Sequence, residues 1–135
     1  MTKKELANAL HAKGYNCAQC VACSFADELG VDYEVLFKLT EGLGFGMGSG
    51  AGVCGALSAA IMAAGMKSST GNIEVPNSKA KTYKIGAEFT EKFKAKAGSI
   101  ICREIKGSGT GNPLLSCTDC IELGIDILGK YLSEN

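Results

Sequence analysis

The hydrophobic positions of this chain follow a helical period through most of its length. Apolar residues recur three or four positions apart, and no segment alternates with the two-residue period of a strand over a useful length. Residues suited to begin helices precede these segments: Thr2 for a first helix, Asn16 for a second over residues 17–29, and Asp32 for a third over residues 33–40. The pattern predicts an all-α fold.

The second half of the chain continues the helical pattern. A long helix is expected after Ser78, with an apolar face that includes Phe89 and Phe93 and an opposite face rich in lysine, which we interpret as a solvated surface. A short turn over residues 100–106 and a final helix after Ser116 follow. Residues 67–77 are polar and form the one extended surface connection.

One segment differs from the others because it is apolar on every side. Residues 53–66 carry no charge and consist largely of alanine and glycine. A helix of this kind is buried in a protein core or in a membrane, and a membrane span needs about 20 apolar residues. We therefore predict a single domain, residues 1–135, built as a compact bundle of about five or six helices around a buried Ala/Gly-rich central helix.

A glycine-rich loop precedes the central helix. Glycine lets the backbone approach other groups where a Cβ would not fit, so the loop is expected to wrap closely around something. Gly50, Gly52 and Gly55 are the candidates for the part of the loop nearest a bound group. They also match the dinucleotide fingerprint G-x-G-x-x-G, but no strand precedes the match, which disfavours nucleotide binding.

Charge and cysteine content narrow the function classes. The 14 basic and 14 acidic residues balance, so nothing draws the chain to nucleic acid or to an anionic membrane. The N-terminal segment has no signal-peptide pattern, and we expect a cytoplasmic protein. Seven cysteines is a high count for a reducing compartment, which favours metal binding or redox chemistry over structural disulfides.

Four of the cysteines fall at predicted helix starts: Cys17, Cys54, Cys102 and Cys117. The N-terminus of a helix favours negative charge, and a thiol there is more easily a thiolate, the form that attacks disulfides and binds metals. Packing cysteines have no such preference. We therefore expect these four cysteines to converge in space. We also expect Cys54 to have a pKa below that of a free cysteine. His11, the only histidine, is expected at the surface.

The same residues carry a family resemblance. The motifs are Gly-Tyr-Asn-Cys17, the glycine loop with Val-Cys54-Gly-Ala, Gly-Ser-Ile-Ile-Cys102, and Cys117 ahead of the last apolar helical face. With them the chain resembles the C_GCAxxG_C_C family of redox-active proteins over most of its length. The resemblance maps the four family cysteines onto Cys17, Cys54, Cys102 and Cys117 and implies that they are the redox residues.

The chain also departs from the family pattern. Ala59 stands where the family often has a glycine, and Cys20, Cys23 and Cys120 look like additions. Similar domains occur in split-Soret-type cytochromes, which carry an iron–sulfur centre, so the resemblance implies a cluster as one option. No haem is expected, because neither Cys17-x-x-Cys20 nor Cys117-x-x-Cys120 is followed by the histidine of a c-type attachment site.

Two hypotheses of different class follow. The leading one is a small redox protein in which Cys17, Cys54, Cys102 and Cys117 hold an iron–sulfur cluster for electron transfer, or in which cysteines cycle between thiol and disulfide through the C-x-x-C pairs. It expects an unidentified redox partner protein and leaves a homodimer open. The alternative is a protein with a structural zinc site at Cys17, Cys20, Cys117 and Cys120, or a helical interaction module with inert cysteines.

Overall fold

The structure is a computed structural model that describes residues 1–135, and it contains helices but no sheet. The nine helices are α1 Lys3–Ala12, α2 Cys17–Cys23, α3 Ala26–Leu29, α4 Tyr33–Glu41, α5 Gly44–Gly48, α6 Gly55–Ser68, α7 Lys79–Ala97, α8 Cys102–Lys106 and α9 Cys117–Glu134. The all-α prediction is confirmed. The expected number of helices was low, because four of the nine are short segments of four to seven residues.

The caps proposed from the sequence form as expected. Thr2 accepts a hydrogen bond from the Glu5 peptide N–H at the start of α1, and Asn16 does the same for Gln19 at the start of α2. Asp32 caps α4, and Ser116 caps α9. These bonds satisfy peptide donors that have no partner within the helix.

Helix α6 lies at the centre of the bundle, against α2, α7 and α9. Ala56, Ala60 and Ala63 have no exposed surface, so the prediction of a buried central helix is confirmed. Small side chains allow close approach: a Cβ at Gly124 of α9 would lie 2.9 Å from the Ala56 carbonyl oxygen. The position of α6 is therefore fixed on several sides by backbone-level packing.

The predicted helix over residues 17–29 is broken in the structure. Helix α2 ends at Cys23, and Ser24 and Phe25 separate it from α3. The Ser24 hydroxyl donates to the Cys20 carbonyl over 2.6 Å, a side-chain bond that competes with the helical ladder. Phe25 leaves the helical conformation with φ −112° and ψ 19°, and its ring is buried in the core.

Two connections flank α6. The glycine loop, residues 42–54, precedes it and includes α5; the far loop, residues 69–78, follows it. The far loop is almost wholly exposed, as predicted for a surface connection. None of the helices combines the length and apolar character that a membrane crossing requires.

Candidate functional site

Five of the seven cysteines line one cavity at the N-terminal end of α6. The cavity has a volume of about 170 Å³. Its lining comprises Cys17, Cys54, Cys102, Cys117 and Cys120 together with His11, Asn16, Phe45, Ile105, Lys106 and Leu115. The structure thus brings together the four cysteines selected from the sequence, although the first and the last are 100 residues apart.

Helix starts place these thiols. Cys17, Cys102 and Cys117 are the first residues of α2, α8 and α9, and Cys54 is the residue that precedes the first turn of α6. The N-terminal ends of four helices therefore meet at the cavity. Cys120 reaches it from one turn further along α9, and its burial is nearly complete.

Backbone pairing sets Cys54 and Cys102 beside each other. The Cys54 N–H donates to the Ile100 carbonyl over 2.7 Å, and the Cys102 N–H donates to the Gly52 carbonyl over 3.0 Å. An isolated antiparallel bridge joins Val53 to Ile101 between them. These bonds fix residues 52–54 of the glycine loop in register with residues 100–102 at the start of α8. Each of the two segments carries one cysteine.

The glycines of the loop are required by contacts with the site. A Cβ at Gly55 would lie 2.7 Å from Cys17 Sγ, and one at Gly46 would lie 2.5 Å from Cys102 Cβ. At Gly52 it would lie 2.7 Å from Met47 Cγ. Gly50 has a different role: its carbonyl accepts from the Arg103 N–H over 2.9 Å. The loop was expected to wrap closely around something, and the groups that it contacts are the side chains of Cys17 and Cys102 and the backbone of Cys102.

The loop carries a left-handed turn that the sequence did not predict. Phe45, Gly46 and Met47 have φ values of 54°, 55° and 61°, and together they form most of α5. Only glycine adopts this conformation cheaply, and each of the two other residues costs about 1–2 kcal/mol. Such strain persists only where the surrounding structure fixes it, and it is concentrated at functional sites.

The Cys54 thiol is held protonated. Its interaction with the Cys120 side chain, together with burial, raises the pKa of Cys54 to about 12, although the Cys17 thiol and the Ala56 N–H act in the opposite direction. The expectation that Cys54 has a pKa below that of a free cysteine is therefore wrong for the reduced, metal-free chain. The helix start supplies its N–H group, but the neighbours that decide the pKa are other thiols and not cations.

The pKa values of Cys17 and Cys102 are also raised above the ordinary value of a thiol. The interaction with Cys54, followed by burial, raises the pKa of Cys17 above its ordinary value, while the N–H groups of Phe45 and Ala18 lower it. Burial also raises the pKa of Cys102, and Lys106 opposes that rise. Lys106 is thus a cation that acts on the cavity thiol of Cys102.

Cys20 and Cys23 do not line the cavity. Both lie inside α2 and are buried, and the Cys20 thiol is 3.7 Å from the Tyr15 carbonyl oxygen. Burial raises the pKa of Cys20 to about 12. The structure therefore does not assemble Cys17, Cys20, Cys117 and Cys120 as one site, and no three His, Cys, Asp or Glu side chains surround a common point as ligands of a single metal ion.

The structure adds residues that the sequence analysis did not assign to the site. Cys20 and Cys120 were only alternate ligands, and of these two Cys120 lines the cavity; His11 was expected at the surface and lines it as well. The spacing of Cys117 and Cys120, one helical turn apart, was the signal for Cys120. Phe45 and Lys106 carried no signal in the sequence, because they meet only in the folded chain, with Lys106 Nζ 5.0 Å from the centre of the Phe45 ring.

Comparison with known proteins agrees with this geometry. The sequence model described as "Putative redox-active protein (C_GCAxxG_C_C)" matches residues 15–131, a span that includes every cysteine of the chain. The chain belongs to the C_GCAxxG_C_C family. A redox role in general is what this membership shows. No curated protein and no solved structure matches the chain.

Proposed function

We propose that this member of the C_GCAxxG_C_C family is an electron-transfer protein whose cysteine cavity holds an iron–sulfur cluster. The observation that carries the proposal is the convergence of five cysteines on a single cavity of about 170 Å³. Cys17, Cys54, Cys102 and Cys117 are the proposed ligands, and Cys120 is the alternate for one of them. When bound, such a cluster supplies one-electron chemistry, with a potential set by its type and surroundings.

The residues present fit the cluster in three respects. Thiolate sulfur is the soft donor that iron–sulfur centres use. The cavity is comparable to an engineered cavity of about 150 Å³ that binds a benzene-sized guest, so it has room for a polyatomic group. The sulfurs border a space and do not meet at a point, which suits a group whose irons lie apart better than a lone zinc ion with four sulfurs at about 2.3 Å.

The chain's own groups prepare this site. Thiols with raised pKa values lose their protons only when a compensating positive charge is present, so metal binding should release protons from Cys17 and Cys54. The N–H groups of Phe45, Ala18 and Ala56 then support the sulfur charge. The side chains of Ile105 and Leu115 exclude water from the same space.

Metal analysis of protein purified without air tests the proposal. Iron and acid-labile sulfide in stoichiometric amounts, with visible charge-transfer absorption, are expected; zinc in a colourless protein would support the zinc alternative instead. Cys54→Ser should lose most of the iron, whereas Cys23→Ser, a matched change of a buried thiol outside the cavity, should retain it. Protein that stays free of iron after anaerobic reconstitution would refute the cluster.

A second candidate, thiol–disulfide cycling, is favoured by one observation. Cys17, Cys54 and Cys120 line the same cavity although they come from three separate parts of the chain, and the thiols of Cys17 and Cys120 both act on the pKa of Cys54. The exchange would run between helices and not within the C-x-x-C pairs expected from the sequence. Mapping disulfides after mild oxidation of metal-free protein distinguishes the two: Cys54 paired with Cys17 or Cys120 is the expected result, and pairs within each C-x-x-C, or no pair, would contradict it.

A further inference from the structure

The strained turn beside the cavity presents two apolar side chains to solvent. Phe45 is 54% exposed and Met47 is 57% exposed, although both pay for a left-handed backbone and lie on either side of the buried Gly46. Phe45 also lines the cavity, so its ring has one side towards the cysteines and one towards solvent. A conformation that is costly and yet exposes apolar surface has no purpose in packing the core.

Two cations lie next to this turn. Lys106 Nζ is 5.0 Å from the centre of the Phe45 ring, and Arg103 Nε donates to the carbonyl of Gly50 over 3.4 Å. Both basic side chains are exposed, and neither belongs to any of the three salt bridges of the protein. The neighbouring acid, Glu104, accepts a hydrogen bond from Ser99. Two cations against this one carboxylate leave a net positive charge, and neither cation is neutralised by an ion pair within the protein.

We propose that Phe45, Met47, Arg103 and Lys106 form the docking surface for an acidic electron-carrier protein. The apolar pair would form the desolvated centre of the contact, and the two cations would attract and orient carboxylates at its rim. Phe45 and Lys106 also line the cysteine cavity, so docking brings the partner's redox centre close to it.

This inference rests on the proposed function, because it identifies the partner class of the same site. In each encounter one electron leaves the reduced carrier and is gained by the cysteine site; the carrier is oxidised, and no covalent bond forms or breaks. The surface itself is part of the chain, so its binding can be measured separately from electron transfer.

Binding to carriers of opposite charge tests the surface. The probes are a plant-type ferredoxin of strongly negative net charge and cytochrome c, which is strongly positive, each titrated into the protein at low and at physiological ionic strength. We expect the ferredoxin to bind with a dissociation constant that rises with salt, and cytochrome c to bind far more weakly. Equal binding of both probes, or no binding of the ferredoxin, would overturn the proposal.

Variants locate the contact. Arg103→Glu combined with Lys106→Glu should weaken ferredoxin binding at least about tenfold and remove its salt dependence. Met47→Ala, which leaves the cavity lining intact, should weaken it several-fold. Lys81→Glu and Tyr83→Ala are the matched controls, because both residues are exposed on α7, and neither should change binding. Equal effects of the two sets would refute this location.

Two further measurements separate the alternatives. If sedimentation shows a dimer that Met47→Ala disperses, the surface is an interface between copies of this chain and the proposal is wrong. Reduction of the site by a small viologen should proceed at the same rate in Met47→Ala, whose side chain does not line the cavity, as in the unaltered protein. A site that accepts no electrons even from the viologen would refute the proposed function, whereas ferredoxin binding would still report on the surface.

Discussion

The two loops that flank α6 both contain glycine in the left-handed conformation, yet they differ in what their atoms contact. The glycine loop bonds through its backbone to the segment before α8, with the N–H groups of Cys54, Cys102 and Arg103 all used. The far loop is joined mainly to itself, for example by the Thr70 hydroxyl with Asn77 and by the Val75 N–H with Asn72. One loop builds the cavity and the other only connects two helices.

The glycines show the difference most directly. In the glycine loop, a Cβ at Gly46 or Gly52 would lie within 3.0 Å of other atoms, whereas at Gly71 of the far loop it would meet nothing within 4 Å. Composition alone therefore does not separate a glycine kept for close packing from one kept for backbone conformation. Substitutions can separate them.

The largest difference is expected between Gly46→Ala and Gly71→Ala. Both positions have positive φ, 55° and 69°, so both variants carry the left-handed strain of about 1 kcal/mol. Only at residue 46 does the new Cβ also meet Cys102 Cβ and the Gly52 carbonyl, which adds about 1–3 kcal/mol of overpacking. Urea denaturation measures the free energy of unfolding of each, and equal losses would contradict the packing role of Gly46.

The two ends of α6 give a second matched pair. Gly55→Ala places a Cβ 2.7 Å from Cys17 Sγ and 2.9 Å from the Leu43 carbonyl oxygen, whereas at Gly65 the nearest atom is Thr82 Cγ2 at 3.2 Å. We expect Gly55→Ala to lower the free energy of unfolding by about 2 kcal/mol and Gly65→Ala to change it by less than about 1 kcal/mol, because better helix propensity offsets its mild contact. Thermal or urea unfolding decides, and a harmless Gly55→Ala would disprove the close approach.

The pH dependence of the free energy of unfolding reports on the Cys54 thiol, at the cavity end of α6. An unfolded thiol has a pKa near about 8.5, and the folded pKa of Cys54 is raised to about 12, so the folded chain holds its proton more tightly. This contribution is fully present below about pH 8.5 and is lost as the pH rises towards 12, by at most about 1.4 kcal/mol for each pH unit.

Urea midpoints of reduced, metal-free protein at pH 7.5 and pH 10 measure this loss. Cys54→Ser should reduce the slope, since Ser has no proton to release in this range. Alkylation of Cys54 should likewise have its midpoint above that of a free cysteine. A stability that rises with pH in this interval would reverse the sign and refute the assignment.

The smallest effect is expected for a pair of asparagines. Asn16 caps α2 and donates to the Glu41 carbonyl beside the glycine loop, so Asn16→Ala should cost about 1 kcal/mol. Asn77 is exposed in the far loop, and Asn77→Ala should stay within about 0.5 kcal/mol. Comparable losses from these two variants in the same denaturation assay would show that the far loop is more than a connection.

A structural feature could be predicted from the sequence when the interactions that cause it lie within a few residues of one another. Caps such as Thr2 and Asn16 act within one turn, and the apolar character of α6 requires burial whatever surrounds it, so these predictions succeeded. The break at Ser24 and Phe25 was missed because the helical pattern continues through it, whereas the bend depends on the Ser24 bond to the Cys20 carbonyl and on the core position of the Phe25 ring.

The site was partly predictable for the same reason. Cysteines at helix starts are a local signal, and the structure brings those four together. The pKa values of Cys17 and Cys54 are raised first by other thiols from distant parts of the chain, Cys54 for the one and Cys120 for the other, and the dipole of one helix could not predict that. The left-handed turn at Phe45 and Met47 depends on the close approach of Gly46, between them, to Gly52 and Cys102. No short sequence pattern encodes that approach.

The long separation in sequence between the first and the last cavity cysteines has a consequence for biosynthesis. The cavity needs residues from Cys17 to Cys120, and the 100 residues between Cys17 and Cys117 take about 5–20 s to synthesise at the usual rate of translation. Until α9 emerges, Cys17 and Cys54 have no closed cavity around them and are open to oxidants and to metal donors. The thiols of Cys17 and Cys54 are therefore accessible to reaction during the seconds that completion of the chain requires.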